Sequence, residues 1–155
     1  EFAKTFEDKN DDYSAIIVKA LGDRFAEGLA EMLHHKVRQS WGEDKSEFDV
    51  DSLIKEKYSG IRPAPGYPAC PDHSEKQLIW DALKVKKNLN IELTESCAIN
   101  PPSSVSGFYF AHPEAKYFTL GKIGEDQVQD YAQRKKMKVK EVERWLKPHL
   151  SYESN

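Results

Sequence analysis

The sequence predicts an α+β fold, a small twisted antiparallel sheet flanked by helices, with one long amphipathic helix near the N-terminal end. Three observations lead there. Residues 11–41 carry apolar side chains at a helical period, residues 91–123 form short β-leaning runs separated by proline turns, and residues 125–146 return to helical spacing.

Taking the chain in order, Ile17, Leu21, Phe25, Leu29, Leu33 and Val37 recur about every fourth residue, opposite Lys19, Asp23, Glu31 and Arg38. That period describes a helix packed along one face. Asp11 or Asp12 supplies its N-cap and Gly42 its stop. Asp23, Glu27 and Glu31 fall at i, i+4 and i+8, so three carboxylates share one stripe, which is ordinarily a solvated face. Residues 42–48 read as a charged loop of free length. Asp49 or Asp51 then caps a short helix through Leu53, Ile54 and Tyr58 that Gly60 ends.

The next stretch organises the chain. Pro63, Pro65, Pro68 and Pro71 are too closely spaced for a helix interior or a central strand, because each fixes φ and removes a backbone donor. The result is a stiff extended loop that displays the guanidinium of Arg62, the Ala64 carbonyl, Gly66 and the phenol of Tyr67. A ligand with a carboxylate and a flat ring suits such a surface; composition alone favours a rigid linker between helices. Ser74 with Gln77 three residues on is a capping-box pattern that opens a helix through Leu78, Ile79, Ala82, Leu83 and Val85. The loop is thereby fixed between two helices.

Three β-leaning runs follow: Ile91 to Ile99, Val105 to Ala111, and Tyr117 to Ile123. Asn100-Pro101-Pro102 and His112-Pro113-Glu114-Ala115 read as connections between neighbouring antiparallel strands. Gly107, among aromatics, admits a ligand or a second backbone. Gly124 precedes a helix from Glu125 to Lys135 with Val128, Tyr131 and Ala132 inward, and a last helix, Val139 to Leu146, buries Val142, Trp145 and Leu146 before Pro148.

At 155 residues the chain makes one domain. Its net charge of −3, with basic and acidic residues interspersed, gives no footprint for nucleic acid. No apolar run spans a bilayer and no signal peptide opens the chain, so the expectation is a soluble cytoplasmic protein without a membrane partner. Glu1 to Glu7 lacks an initiator methionine and reads, with residues up to 10, as the end of an upstream segment of a longer enzyme. Cys70 and Cys97 lack a paired spacing, so no disulfide framework is expected. One Cys-x-x-His pair, Cys70 and His73, with Cys97, His112 and His34-His35 elsewhere, falls short of the paired four-ligand spacing of structural zinc. No Gly-x-Ser-x-Gly elbow, phosphate-cradling loop or Gly-x-Gly-x-x-Gly fingerprint occurs, and no acid–base constellation stands out.

Four ordered motifs carry a family resemblance: RPAPGYPACPDH from Arg62, LTES at Leu93 to Ser96, SVSGFYFAHPEAKYF at Ser104 to Phe118, and DQVQDYAQRK…VERWLKPHL at Asp126 to Leu150. Together they resemble the S-adenosylmethionine-binding activation domain of cobalamin-dependent methionine synthase, nearly continuously from about Asp11 to Tyr152. The resemblance implies that Arg62, Ala64, Gly66 and Tyr67 of the loop, the pair Tyr117 and Phe118, and Glu27 bind S-adenosylmethionine. A further acidic contact in the family lies upstream of the point matching residue 1. The chemistry agrees: a guanidinium for the carboxylate, carbonyls for the ammonium or the adenine amino group, and aromatics for stacking or cation–π contact with the sulfonium.

The function so implied is reactivation. The full enzyme makes methionine from homocysteine and methyltetrahydrofolate by way of cobalamin, and this domain positions the sulfonium methyl for reductive remethylation of that cofactor. The partners implied are the cobalamin-binding module of the same parent chain and a flavodoxin-like reductase, with cobalamin and zinc held in other modules. The cobalamin module's Asp-x-His-x-x-Gly pattern is absent here, so this segment alone is expected to show no turnover. The rival reading is a non-catalytic protein-docking module.

Overall fold

A computed structural model describes residues 2–42 and 49–154. A short turn of helix, α1 (Lys4–Glu7), leads into the long helix α2 (Asp12–Trp41). Asp11 caps α2 by accepting from the Ser14 amide at 3.0 Å, and Gly42 ends it in the left-handed region at φ 78°, its N–H returning to the Arg38 and Gln39 carbonyls. A Glu7–Lys19 ion pair of 2.5 Å ties α1 back onto α2.

The packing of α2 differs from the expectation. Ile17, Leu21, Phe25, Leu29 and Leu33 are all exposed, Phe25 by 77%, whereas Ala15, His34, His35 and Arg38 are buried. The apolar side is largely exposed among the described residues, and the helix meets the rest of the chain through polar contacts such as Asp23–Ser103 and Glu31–Arg62 and through its buried C-terminal residues His34, His35 and Arg38. Most of the loop expected over residues 42–48 lies outside the described residues.

Asp49 caps α3 (Val50–Ile54) by accepting from the Asp51 and Ser52 amides; α3 stops at Lys55, so Tyr58 and Gly60 lie beyond it. After the proline loop, Asp72 rather than Ser74 opens a single 3-10 turn at His73–Glu75, which runs into α4 (Lys76–Leu83). A left-handed Lys84 at φ 49° breaks the helix expected to continue through Val85 and starts α5 (Val85–Leu89) at a new angle.

The sheet is smaller than the three expected runs. β1 (Glu92–Leu93) pairs antiparallel with β2 (Ile99–Asn100), Glu92 opposite Asn100 and Leu93 opposite Ile99. Residues 105–111 contribute only an isolated antiparallel bridge from Phe110 to Ile61, and residues 117–122 form no strand. Pro63 cannot donate to a ladder, which limits the Ile61–Phe110 pairing to its first residues.

The C-terminal third holds an apolar core among the described residues. Across α6 (Glu125–Lys135) and α7 (Val139–Leu146), Val128, Ala132, Val142, Leu146 and Leu150 are buried together, with Ile123, Tyr131, Met137 and Tyr152 packed around them. Each fully buried Val or Leu contributes about 1.5–3 kcal/mol. Ile123 fastens the chain terminus, donating to the His149 carbonyl at 2.8 Å and accepting from the Ser151 amide at 3.0 Å. Trp145 is half-buried rather than core.

Candidate functional site

The proline loop is held by backbone bonds at both ends. Ile61 and Phe110 exchange N–H···O bonds of 3.1 and 3.0 Å, and the Phe108 amide donates to the Pro63 carbonyl at 2.9 Å. A Cβ on Gly107 would stand 2.8 Å from that Pro63 oxygen, so this glycine admits a second backbone. Further along, the Gly66 amide donates to the Cys70 carbonyl at 2.7 Å and Cys70 returns to Tyr67 at 2.8 Å, a tight turn that Gly66 enters at φ 97°. Among the described residues the Ala64 carbonyl accepts one 3.3 Å bond, from the Tyr67 amide, leaving a second lone pair.

The structure brings Arg62 and Tyr117 together across 55 residues: the Tyr117 hydroxyl accepts from the Arg62 amide at 2.9 Å. The Leu120 amide reaches the Pro68 carbonyl at 3.4 Å, laying residues 117–120 beside the loop. Tyr67, Tyr117 and Phe118 are 67%, 50% and 54% exposed, and of the three Tyr117 reaches the Arg62 backbone.

The Arg62 side chain turns inward to a polar cluster. Its Nη2 lies 2.7 Å from Glu31 Oε2 and 3.8 Å from Glu56; Nη1 donates to the Tyr58 hydroxyl and sits 3.3 Å from His34 Nδ1. His34 stacks on Tyr109, centroids 4.8 Å apart and planes 3° off parallel, and meets Tyr58 edge-on at 5.3 Å. The Arg38 guanidinium lies 3.7 Å over the Tyr58 ring. Burial, with the charges of Arg38 and Arg62, lowers the His34 pKa to about 4, so the imidazole is neutral at pH 7 and offers Nδ1 as acceptor to Arg62. Burial likewise pushes the Tyr58 phenol up to about 12, keeping it protonated.

Glu27 is placed differently from Glu31. Its carboxylate pairs with Arg24 at 2.9 Å, and the contact from α2 to Arg62 comes one turn on, from Glu31. Glu27 nonetheless lies between two residues that face this side of the molecule, since Asp23 accepts from Ser103 at 2.8 Å and Glu31 binds Arg62. Glu31, Tyr58, His34 and Tyr109 had no place in the sequence-based site. The signals were there: Glu31 shares the acidic stripe with Glu27, and Tyr58 precedes Arg62 by one helical turn's spacing.

A second polar cluster anchors the far end of the loop. Asp72, 3% exposed, accepts from Lys135 at 2.6 Å, Tyr131 at 2.8 Å and Ser74 at 2.7 Å, while Lys135 also binds Glu75 at 2.7 Å. Lys76, itself buried, donates to the Cys97 carbonyl at 2.9 Å. Both cysteines are free thiols. Among the described residues no group of three or more His, Cys, Asp or Glu could hold a metal ion, and no helix is long and apolar enough to cross a membrane.

The site is thus an extended ribbon with a guanidinium at its root, spare carbonyl capacity and exposed aromatic rings, and it lacks a nucleophile–base pair. Such a surface positions a ligand rather than activating it.

Comparison with known proteins agrees with this arrangement. A crystal structure of the MetH reactivation domain bound to AdoHcy superposes with a TM-score of 0.94 at 52% sequence identity, covering 98% of this chain and 47% of that one. The chain therefore spans about half the length of that structure. Residues 1–136 match the family described as vitamin B12 dependent methionine synthase, activation domain. With a family match over residues 1–136 and a closely superposing backbone at 52% identity, the chain belongs to the activation domains of vitamin B12-dependent methionine synthases.

Proposed function

We propose that this chain binds S-adenosylmethionine and positions its methyl group for reductive remethylation of cobalamin in methionine synthase, which makes methionine from homocysteine and methyltetrahydrofolate. One observation carries the reading: a structure 52% identical over 98% of this chain holds AdoHcy, the demethylated form of that ligand. The residues present fit the group. Arg62 suits the ligand carboxylate, the Ala64 carbonyl has spare acceptor capacity, and Gly66 lets the backbone pass close to the ligand. Tyr67, Tyr117 and Phe118 offer exposed faces to the adenine and the sulfonium, and Glu27 joins from the acidic stripe of α2.

When bound, S-adenosylmethionine supplies a methyl already activated on a sulfonium, and the cobalamin of a neighbouring module, reduced by a flavodoxin-like partner, supplies its acceptor. The residues of this chain have three tasks: to hold the carboxylate end, to fix the ring, and to leave the methyl uncovered. No proton transfer is required of them. The parent enzyme works in the cytoplasm, and its zinc lies in another module.

Isothermal titration of the full-length enzyme with S-adenosylhomocysteine tests the proposal. Saturable heat that disappears in Arg62→Ala is expected; uptake unaffected by Arg62→Ala, or none at all, would overturn it. The exposed apolar residues of α2 favour a second reading, a docking module without a ligand of its own, which requires the titration to be silent.

A further inference from the structure

An arginine side chain has five N–H donors in a planar fork, and the structure accounts for only part of that set at Arg62. Nη1 donates to the Tyr58 hydroxyl and sits 3.3 Å from His34 Nδ1, and Nη2 is ion-paired with Glu31 Oε2 at 2.7 Å. Glu56, at 3.8 Å, lies beyond hydrogen-bond reach of Nη2. What remains is the Nε edge of the fork, where Nε–H lies beside Nη2. No hydrogen-bond partner among the described residues faces Nε. Two parallel donors along one edge match the two oxygens of a carboxylate. The side chain keeps 24% of its surface accessible, which leaves room for that partner.

The holding groups are themselves fixed. Tyr58 is gripped between the Arg38 guanidinium on its face and the edge of His34, and its hydroxyl also lies 3.3 Å from Glu31 Oε2. Glu31 Oε1 is buried without a partner among the described residues. A carboxylate that leaves one oxygen unsatisfied in the interior is costly, so its retention beside Arg62 calls for a role.

We propose that Glu31 and Tyr58 are positioning residues that clamp the terminal nitrogens of Arg62, so that the Nε edge of its guanidinium is presented to the carboxylate of the S-adenosyl ligand. The inference rests on the ligand reading above and adds to it how the carboxylate is selected. An unclamped arginine forfeits rotamer freedom on capture; this one has given it up beforehand. Because Glu31 and Arg62 are neutral as a pair, recognition relies on the fork's geometry more than on long-range attraction.

The test compares two ligands on the full-length enzyme by calorimetry: S-adenosylhomocysteine, which carries the amino-acid head, and methylthioadenosine, which keeps the adenosine thioether and lacks it. Glu31→Gln and Tyr58→Phe should each weaken S-adenosylhomocysteine about 10-fold while changing methylthioadenosine less than about 2-fold. Equal weakening of both ligands, or tighter S-adenosylhomocysteine binding in Glu31→Gln, would overturn the clamp. Should Glu31→Gln fail to fold, Tyr58→Phe decides alone by the same ratio. A wild-type enzyme that takes up neither ligand removes the ligand reading and the clamp together, whereas uptake of both with no change in the variants removes only the clamp.

Discussion

Lys135 Nζ stands 2.6 Å from Asp72 Oδ2 across 63 residues of sequence, and this pair joins helix α6 to the end of the proline loop. Both partners are substantially buried, with side-chain exposures of 17% and 4%. A buried pair is weak evidence for net stability, but removing one member leaves the other charge stranded.

Lys135→Ala should therefore destabilise the protein by about 3 kcal/mol, read as a lower urea midpoint. Burial by itself would raise the Asp72 pKa, and the hydrogen bonds from Lys135, Ser74 and Tyr131 outweigh it and hold the carboxyl below its ordinary 3.8. A depressed carboxyl pKa means that the stabilisation is complete above the unfolded value and fades as pH falls below it. The wild type should thus lose stability on acidification below about pH 3.8 more steeply than Asp72→Asn. Parallel acid limbs would show the pair to be energetically silent.

His34 governs a different pH window. Its folded pKa of about 4, set by burial and then by the Arg38 and Arg62 charges, lies below the ordinary 6.5, so the unfolded chain binds a proton that the folded one refuses. Stability should be flat above pH 6.5 and decline toward pH 4 by roughly 1.4 kcal/mol per unit. His73 is shifted in the same direction, so the informative quantity is the part of the slope that His34→Asn removes. An unchanged slope in that variant would contradict a neutral His34.

Two glycines should respond oppositely to alanine. At Gly60, φ is 99° and an added Cβ would meet the Phe110 carbonyl oxygen at 2.4 Å, so Gly60→Ala strains the backbone and pushes apart the Ile61–Phe110 pair. About 3 kcal/mol should be lost. Gly28 lies within α2, where an added Cβ would meet nothing within 4 Å, and Gly28→Ala should gain about 0.8 kcal/mol from helix propensity. Chemical denaturation of the two variants in parallel gives the comparison its own control.

Ligand should protect the fold. S-adenosylhomocysteine at 100 times its dissociation constant should raise the unfolding free energy by about 2.7 kcal/mol, seen as a higher melting temperature. The same addition should leave Arg62→Ala where it was, and an equal rise in that variant would place the ligand away from Arg62.

The elements legible in the sequence were those whose signals are local. Asp11, Gly42, Asp49 and Gly124 mark helix ends because capping and left-handed geometry involve only a few neighbouring residues. The apolar stripe of α2 was legible as a stripe, but periodicity states which residues share a side and is silent on whether anything covers it. Likewise Val105 to Ala111 has strand-forming residues, yet its partner is a proline-bearing segment that accepts only one bridge. At the site, the motif around Arg62 was readable as a unit. Its engagement by Glu31 and Tyr58 depends on where a distant helix crosses the loop, and residue spacing does not encode that crossing.

The ribbon from Ile61 to Asp72 arrives already ordered, fastened at one end by backbone pairing with Phe108 and Phe110 and at the other by Lys135. A receptor in that condition has little disorder left to surrender when something docks, so the contacts formed translate into affinity with small entropic loss. By the same reasoning, damage at either fastening would reappear as weaker capture even though no contact atom had been touched.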